Sequence, residues 1–317
     1  MGISKFAAAA LVAGTMAVAS TAALAECKPS KWGADDEIGN ANYVSPERTL
    51  AAMKLVKTGN SHPLGIVVDP KMPAFPPRTT SIQVVSPGQN NGGSLAGAFG
   101  WDMVYNDDLA QLWFGTGPQL DGLGHLGEAG MYYNCNKGKD IAAITGLKKL
   151  GTHNVPPMIA RAVLVDMAKY HGVASLKGGQ AITEADLKDA MKKQGVTVGK
   201  GDIVLVHTGW TDAMLEKEPK TWVSTEPGLD NAAMAYLASL DPMAVGADTW
   251  GVEVVPPAKG DKVFYGHVST LVNGIYILET MNTGRLAKEG VNEFAFVLGQ
   301  ARIKGTVQMI INPVAMW

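Results

Sequence analysis

Cysteine is scarce: only Cys27 and Cys135 occur among 317 residues. Two thiols are too few for a four-cysteine zinc site and exclude a disulfide-dense scaffold. They can pair in an oxidising compartment or stay free, and the sequence leaves both open. An excess of charge of either sign is also missing. Lysine and arginine number 27 against 29 acids, a formal net charge of −2. That balance gives no electrostatic pull toward nucleic acid or anionic lipid. Aromatic residues reach only 7%, and no repeat or low-complexity tract marks an interaction scaffold. No P-loop or G-x-G-x-x-G cradle joins a strand to a helix, and no G-x-S-x-G elbow occurs. Kinase, dehydrogenase and serine-hydrolase chemistry therefore lack support.

Long apolar runs are confined to the start. Lys5 precedes an apolar run from Phe6 to about Val18, and Ala23-Leu24-Ala25 has the A-x-A form. This layout predicts a signal peptide over residues 1–25, leaving 26–317 as one domain. The run is short for a membrane span and is broken by Gly14, Thr15 and Ser20. The expectation is a periplasmic or secreted protein with no membrane segment after signal removal.

What is present is alternation of strands and helices. Ser45-Pro46 opens a predicted helix through about residue 56, Ser45 capping it and Pro46 taking the first position. Thr183 caps a predicted helix over 184–194, where Ala185, Leu187 and Met191 share a face. A further helix is predicted over 231–240. Apolar, β-branched runs predict strands at 159–166, 203–208, 243–248, 274–279, 294–298 and 306–311. Residues 62–100 read as loops and edge strands. The pattern predicts an α/β protein.

Six histidines are present, and two lie in segments suited to chemistry. In Gln119-Leu-Asp121-Gly-Leu-Gly-His125-Leu-Gly-Glu128, Asp121 and His125 can meet on one turn or across a glycine-rich loop. A carboxylate oxygen and a neutral imidazole suit Zn²⁺ or Mn²⁺; the bland alternative is a turn whose Asp bonds its own backbone. His267 follows Gly266 in a predicted loop, and Glu279 closes the apolar run 275–278. An acid there stands at a sheet rim, where sites are built, or simply leaves the core for solvent. His207 and Trp210 follow the 203–206 run, and Asp248 and Trp250 follow the 243–247 run. Strand ends carrying histidine or acids predict one shared pocket wall.

Together Trp32-Gly-Ala-Asp-Asp-Glu-Ile-Gly39, Asp121-Gly-Leu-Gly-His125, Val206-His-Thr-Gly-Trp210, Gly246-Ala-Asp248 and the His267/Glu279 pair resemble the cyclase family. That family includes bacterial kynurenine formamidases and isatin hydrolases. The resemblance runs from about Trp32 to Pro313. It implies a swivelling β/β/α fold with a mixed sheet, a divalent metal (Zn²⁺ or Mn²⁺) and a homodimer. It also implies arylformamidase-like hydrolysis of a C–N bond in a small amide, formamide or lactam, in a setting such as tryptophan catabolism. The family metal motif reads H-x-G-T-H-x-D-x-P. Asp121 stands at its first His, His125 at its second and Gly127 at its Asp, so Glu128 is the neighbouring acid available as a third ligand. The expected roles are then metal binding by Asp121, His125 and Glu128, and proton transfer by His267 with Glu279. His207, Trp210, Asp248 and Trp250 are expected to contact substrate, with Trp101 as a further stacking candidate. A metal in such a site lowers the pKa of its water from 15.7 toward about 7. The competing expectation is a periplasmic binding protein, or a degenerate family member, that holds a small molecule without turnover.

Overall fold

The structure, a computed structural model, describes residues 27–85 and 93–317. The expected signal peptide lies outside the described residues. The middle of the fold is set by four strands with almost no polar interruption: Met158–Asp166, Ile203–His207, Ala244–Ala247 and Tyr276–Glu279. Runs of Val, Ile, Leu and Ala without polar alternation suit strands covered on both faces. These four lie side by side and parallel, in that order.

Antiparallel strands extend the sheet on both sides. Glu293–Leu298, Val314–Met316 and Ser61–Pro63 continue it beyond Met158–Asp166. Gln119–Asp121 and then Gln308–Ile310 continue it beyond Tyr276–Glu279. The result is a nine-stranded mixed sheet within one α/β domain, the fold class expected from the sequence. Parallel strands place their carboxyl ends on one edge, where α/β proteins bind ligands. His207 and Glu279 end their strands there, and Asp248 directly follows its strand.

Local sequence explains several helices. Thr183 accepts from Asp186 N while the Asp186 carboxylate returns to the Thr183 backbone, a two-way cap that starts Glu184–Gln194. Ser45 caps Pro46–Met53 with proline at its first turn, and Asp230 caps Asn231–Ser239. Helices Glu184–Gln194 and Tyr265–Val272 both pack against Asn231–Ser239. Tyr265–Val272 differs from expectation: His267 lies in this helix, not in a loop.

Cys27 and Cys135 form a disulfide. Beside it, Asn134 (φ +53°) donates through its amide to the carbonyls of Gly33, Ala34 and Asp36, at 2.8–3.1 Å, and accepts from Ser30 N. Its short polar side chain tolerates the left-handed backbone.

Candidate metal centre

The floor of the site follows from strand register. Glu279 pairs with Gln119 and Ile277 with Asp121 across one seam; Gln308 pairs with Asp121 across the next. Residues two apart share a face, so Gln119, Asp121, Glu279 and Gln308 converge on one side of the sheet. Gln119 Nε2 donates to Asp121 Oδ1 at 2.9 Å and to Glu279 Oε2 at 2.6 Å. Gln308 Nε2 donates to Asp121 Oδ1 at 2.7 Å. Asp121 Oδ2 is buried with no hydrogen-bond partner.

His267 arrives from the helix above. No residue beside that helix caps it; Phe264 precedes it in a left-handed conformation. The cap is Glu253, whose carboxylate accepts from Gly266 N and His267 N, both at 2.8 Å. The same carboxylate meets His267 Nδ1 at 2.5 Å, and His267 Nε2 lies 2.9 Å from Glu279 Oε1. Asp121, His267 and Glu279 each offer a ligand atom within 4.8 Å of the others, and all three are buried.

Burial lifts Glu279, helped by the Asp121 charge, to about 7 despite its bond to His267. Burial alone would lower His267, but its bonds to Glu253 and Glu279 hold it well above the usual imidazole value. At 2.9 Å, His267 Nε2 and Glu279 Oε1 share a hydrogen bond whose proton a divalent cation can replace. Two carboxylate oxygens and an imidazole nitrogen suit Zn²⁺ or Mn²⁺, and the unpartnered Asp121 Oδ2 is an acceptor still needing a positive partner. Glu253 on Nδ1 supplies the carboxylate that fixes a ligating imidazole. The residues present fit a divalent ion.

These groups open onto a cavity of about 160 Å³. Phe75, Arg78, Trp250 and Phe264 form much of its wall, and His125, His267 and Glu279 its polar part. Phe75 stacks on Trp250 with centroids 5.6 Å apart, and Phe264 meets His267 edge-on at 5.3 Å. His125 Nε2 is 3.7 Å from Asp121 Oδ2. Burial lowers the His125 pKa, only partly opposed by Asp121, so its ring is neutral near pH 7.

The expected site residues divide sharply. Asp121, His125, His267, Glu279 and Trp250 gather at this cavity. Glu128 does not: it is exposed at the edge of a tight turn, 3.9 Å from Lys262. The neighbouring Gly127 has no space for an acid, because a Cβ there would lie 2.2 Å from Met131 O. His207 and Asp248 share the carboxyl edge but line no part of the cavity. Asp248 accepts from Thr208 N, Thr208 Oγ1 and Gly209 N at 2.7–2.8 Å, fixing the turn after Ile203–His207. His207 Nδ1 sits 2.8 Å from Thr283 Oγ1. Trp210 is buried against Trp222 and bonds its carbonyl, and Trp101 is exposed outside the cavity.

Sequence reasoning missed Gln119, Gln308, Glu253, Arg78, Phe75 and Phe264. Gln119 carried a usable signal, since it stands two residues before Asp121 in a strand. Glu226 was also missed. It is fully buried; its Oε2 accepts from Trp250 N at 2.7 Å and its Oε1 has no partner. Burial, then the Glu279 charge, pushes its pKa well above the carboxylate range.

A mixed-sheet α/β domain with a buried Asp–His–Glu group at its carboxyl edge is the class these features define. The chain belongs to the cyclase family: the family described as "Putative cyclase" matches residues 61–254. A crystal structure described as a novel cyclase is 30% identical, covers 92% of this chain and 100% of its own, and superposes with a TM-score of 0.80. An isatin hydrolase bound to the product analogue thioisatinate shares the fold at 17% identity (86% and 98% covered, TM-score 0.61). So does a potential metal-dependent hydrolase with cyclase activity at 14% identity (81% and 98% covered, TM-score 0.53). No curated protein matches the chain.

Proposed function

We propose that this protein is a metal-dependent hydrolase that cleaves a C–N bond in a small cyclic or formylated amide. The observation that carries the reading is the meeting of Asp121, His267 and Glu279 within 4.8 Å, with Asp121 Oδ2 unpartnered, at a cavity with aromatic walls. Membership of a family with isatin hydrolase and metal-dependent hydrolase neighbours supports it.

Asp121, His267 and Glu279 would hold the ion, zinc or manganese. Such an ion, when bound, makes water a nucleophile at neutral pH and polarises a carbonyl oxygen. Glu253 holds the His267 ring in one orientation and fixes its tautomer by taking the Nδ1 proton bond. Gln119 and Gln308 orient the Asp121 carboxylate and leave Oδ2 for the ion. Phe75, Trp250 and Phe264 give the cavity an apolar wall, which strengthens the charge interactions beside it. His125, neutral and beside Asp121, is placed to accept a proton at a ring nitrogen and return it to the leaving nitrogen. We further propose export to an oxidising compartment, supported by the A-x-A pattern at 23–25 and the Cys27–Cys135 bond.

The test is elemental analysis of the purified protein beside assays with isatin, N-formylkynurenine and simple lactams. About one zinc or manganese per chain, lost in Asp121→Ala and His267→Ala but kept in Glu128→Ala, is expected. Full metal content in both of the first two variants would overturn the assignment.

A further inference from the structure

One turn supplies the cavity with both a ring and a cation. Arg78 N donates to Phe75 O at 3.0 Å, and both side chains line the cavity. Arg78 is half-buried. Its Nη1 donates to Gly115 O at 2.6 Å, and among the described residues its other guanidinium nitrogens bond nothing. The ion pairs of the described lysines and arginines involve Lys31, Arg161, Lys188, Lys193, Lys262 and Arg285, and none holds Arg78.

The chain keeps a slot for this guanidinium. A Cβ at Gly115 would stand 2.7 Å from Arg78 Cζ, 2.8 Å from Nη1 and 2.8 Å from Gln308 Oε1. Gln308 in turn holds Asp121. The cationic fork therefore lies beside the acid cluster, and its charge reaches both His125 and Glu279. A structural arginine in such a place normally spends its donors on carboxylates or carbonyls. Among the described residues Arg78 spends one donor on a carbonyl, and its side chain lines the cavity.

The cavity limits what can fill it. About 150 Å³ of apolar space takes one benzene ring, and this one measures about 160 Å³. Its wall includes Phe75, Trp250 and Phe264, which pack on one another with centroids 5.6–6.4 Å apart, and an aromatic ring can lie against such a wall. A guanidinium fork matches the two oxygens of a carboxylate.

We propose that Arg78 is the specificity-determining residue of the cavity, recognising a carboxylate carried by a single-ring ligand. This deepens the hydrolase reading, since it makes the substrate a small ring compound bearing a carboxylate as well as the scissile amide. The ligand chemistry itself is read from the cavity and does not depend on turnover.

The test uses the full chain after EDTA treatment, so that a bound ion cannot hold the anion. Benzoate and its neutral isostere benzamide are titrated by calorimetry. Benzoate should bind about tenfold more tightly, a difference near 1.4 kcal/mol. Arg78→Met should erase the preference while leaving benzamide binding within about twofold, a selectivity that a merely structural arginine would not control. Arg78→Lys should keep part of it, as a point charge without the fork. Equal binding of the two ligands by the wild-type protein overturns the proposal, a result that needs no variant to fold. So does an undiminished benzoate preference in Arg78→Met. Absence of metal and turnover would sink the hydrolase reading and leave this preference standing, so the two failures are distinguishable.

Discussion

At the scale of single residues, the site depends on groups that bring no ligand atom of their own. Glu253 is the clearest. It holds the first N–H groups of the His267 helix and the imidazole together. Glu253→Gln should weaken zinc binding about 10- to 100-fold, the usual effect of losing such a partner; competition against a chromogenic chelator measures it, and unchanged affinity would deny the role. Asp241 shows what pH should do elsewhere. Burial would raise its pKa, but hydrogen bonds from Lys31, Tyr43 and Asn40 bring it below the usual carboxylate value. A depressed folded pKa gives stability that is present above the unfolded value and lost as pH falls through the folded one. Asp241→Asn should therefore flatten the stability loss below about pH 4, as followed by urea melts across pH 2.5–6. Of these residues the sequence revealed only the charged ones near glycines. Asp121 was legible in its segment. Gln308 was not, because an uncharged amide signals nothing until strand register brings it to a carboxylate 187 residues away. Glu128 was expected as a ligand on adjacency alone, and the turn at 128–131 directs it outward.

Among elements, legibility followed whether the start signal is local. The helix Glu184–Gln194 begins where its Thr183 cap predicts, and Gly195 (φ +67°) ends it. Thr183→Ala should cost about 1 kcal/mol in chemical denaturation; a loss of less than a few tenths would show the two-way cap to be idle. The helix Tyr265–Val272 is the opposite case. Its residues include a glycine and several β-branched side chains, a poor local prescription for a helix. Its cap lies 14 residues back, in Glu253. Reading His267 as part of a loop missed the helix because the stabilising partner comes from another part of the chain. The buried strands were visible as apolar runs, but their parallel order was not, since register and neighbours are set by packing across the sheet.

For the whole molecule, two cysteines 108 residues apart left paired and free thiols equally open. The structure ties Cys27 to Cys135, closing a loop with a sequence separation of 108. Chain-entropy reasoning assigns such a closure up to about 4–5 kcal/mol. Reduction should lower the Tm measurably, and an unchanged Tm in dithiothreitol would mean the bond restrains nothing. Among the described residues, Thr80–Val85 and Asp107–Leu112 pair only with each other. Ile82, Val84 and Leu109 on this ribbon are each at least half exposed. A lone hairpin is marginal in water, and its outer backbone edges can recruit another strand. Concentrated solutions of this protein should then self-associate through the ribbon first, and a lysine substituted at Val84 should act as a gatekeeper that keeps them clear.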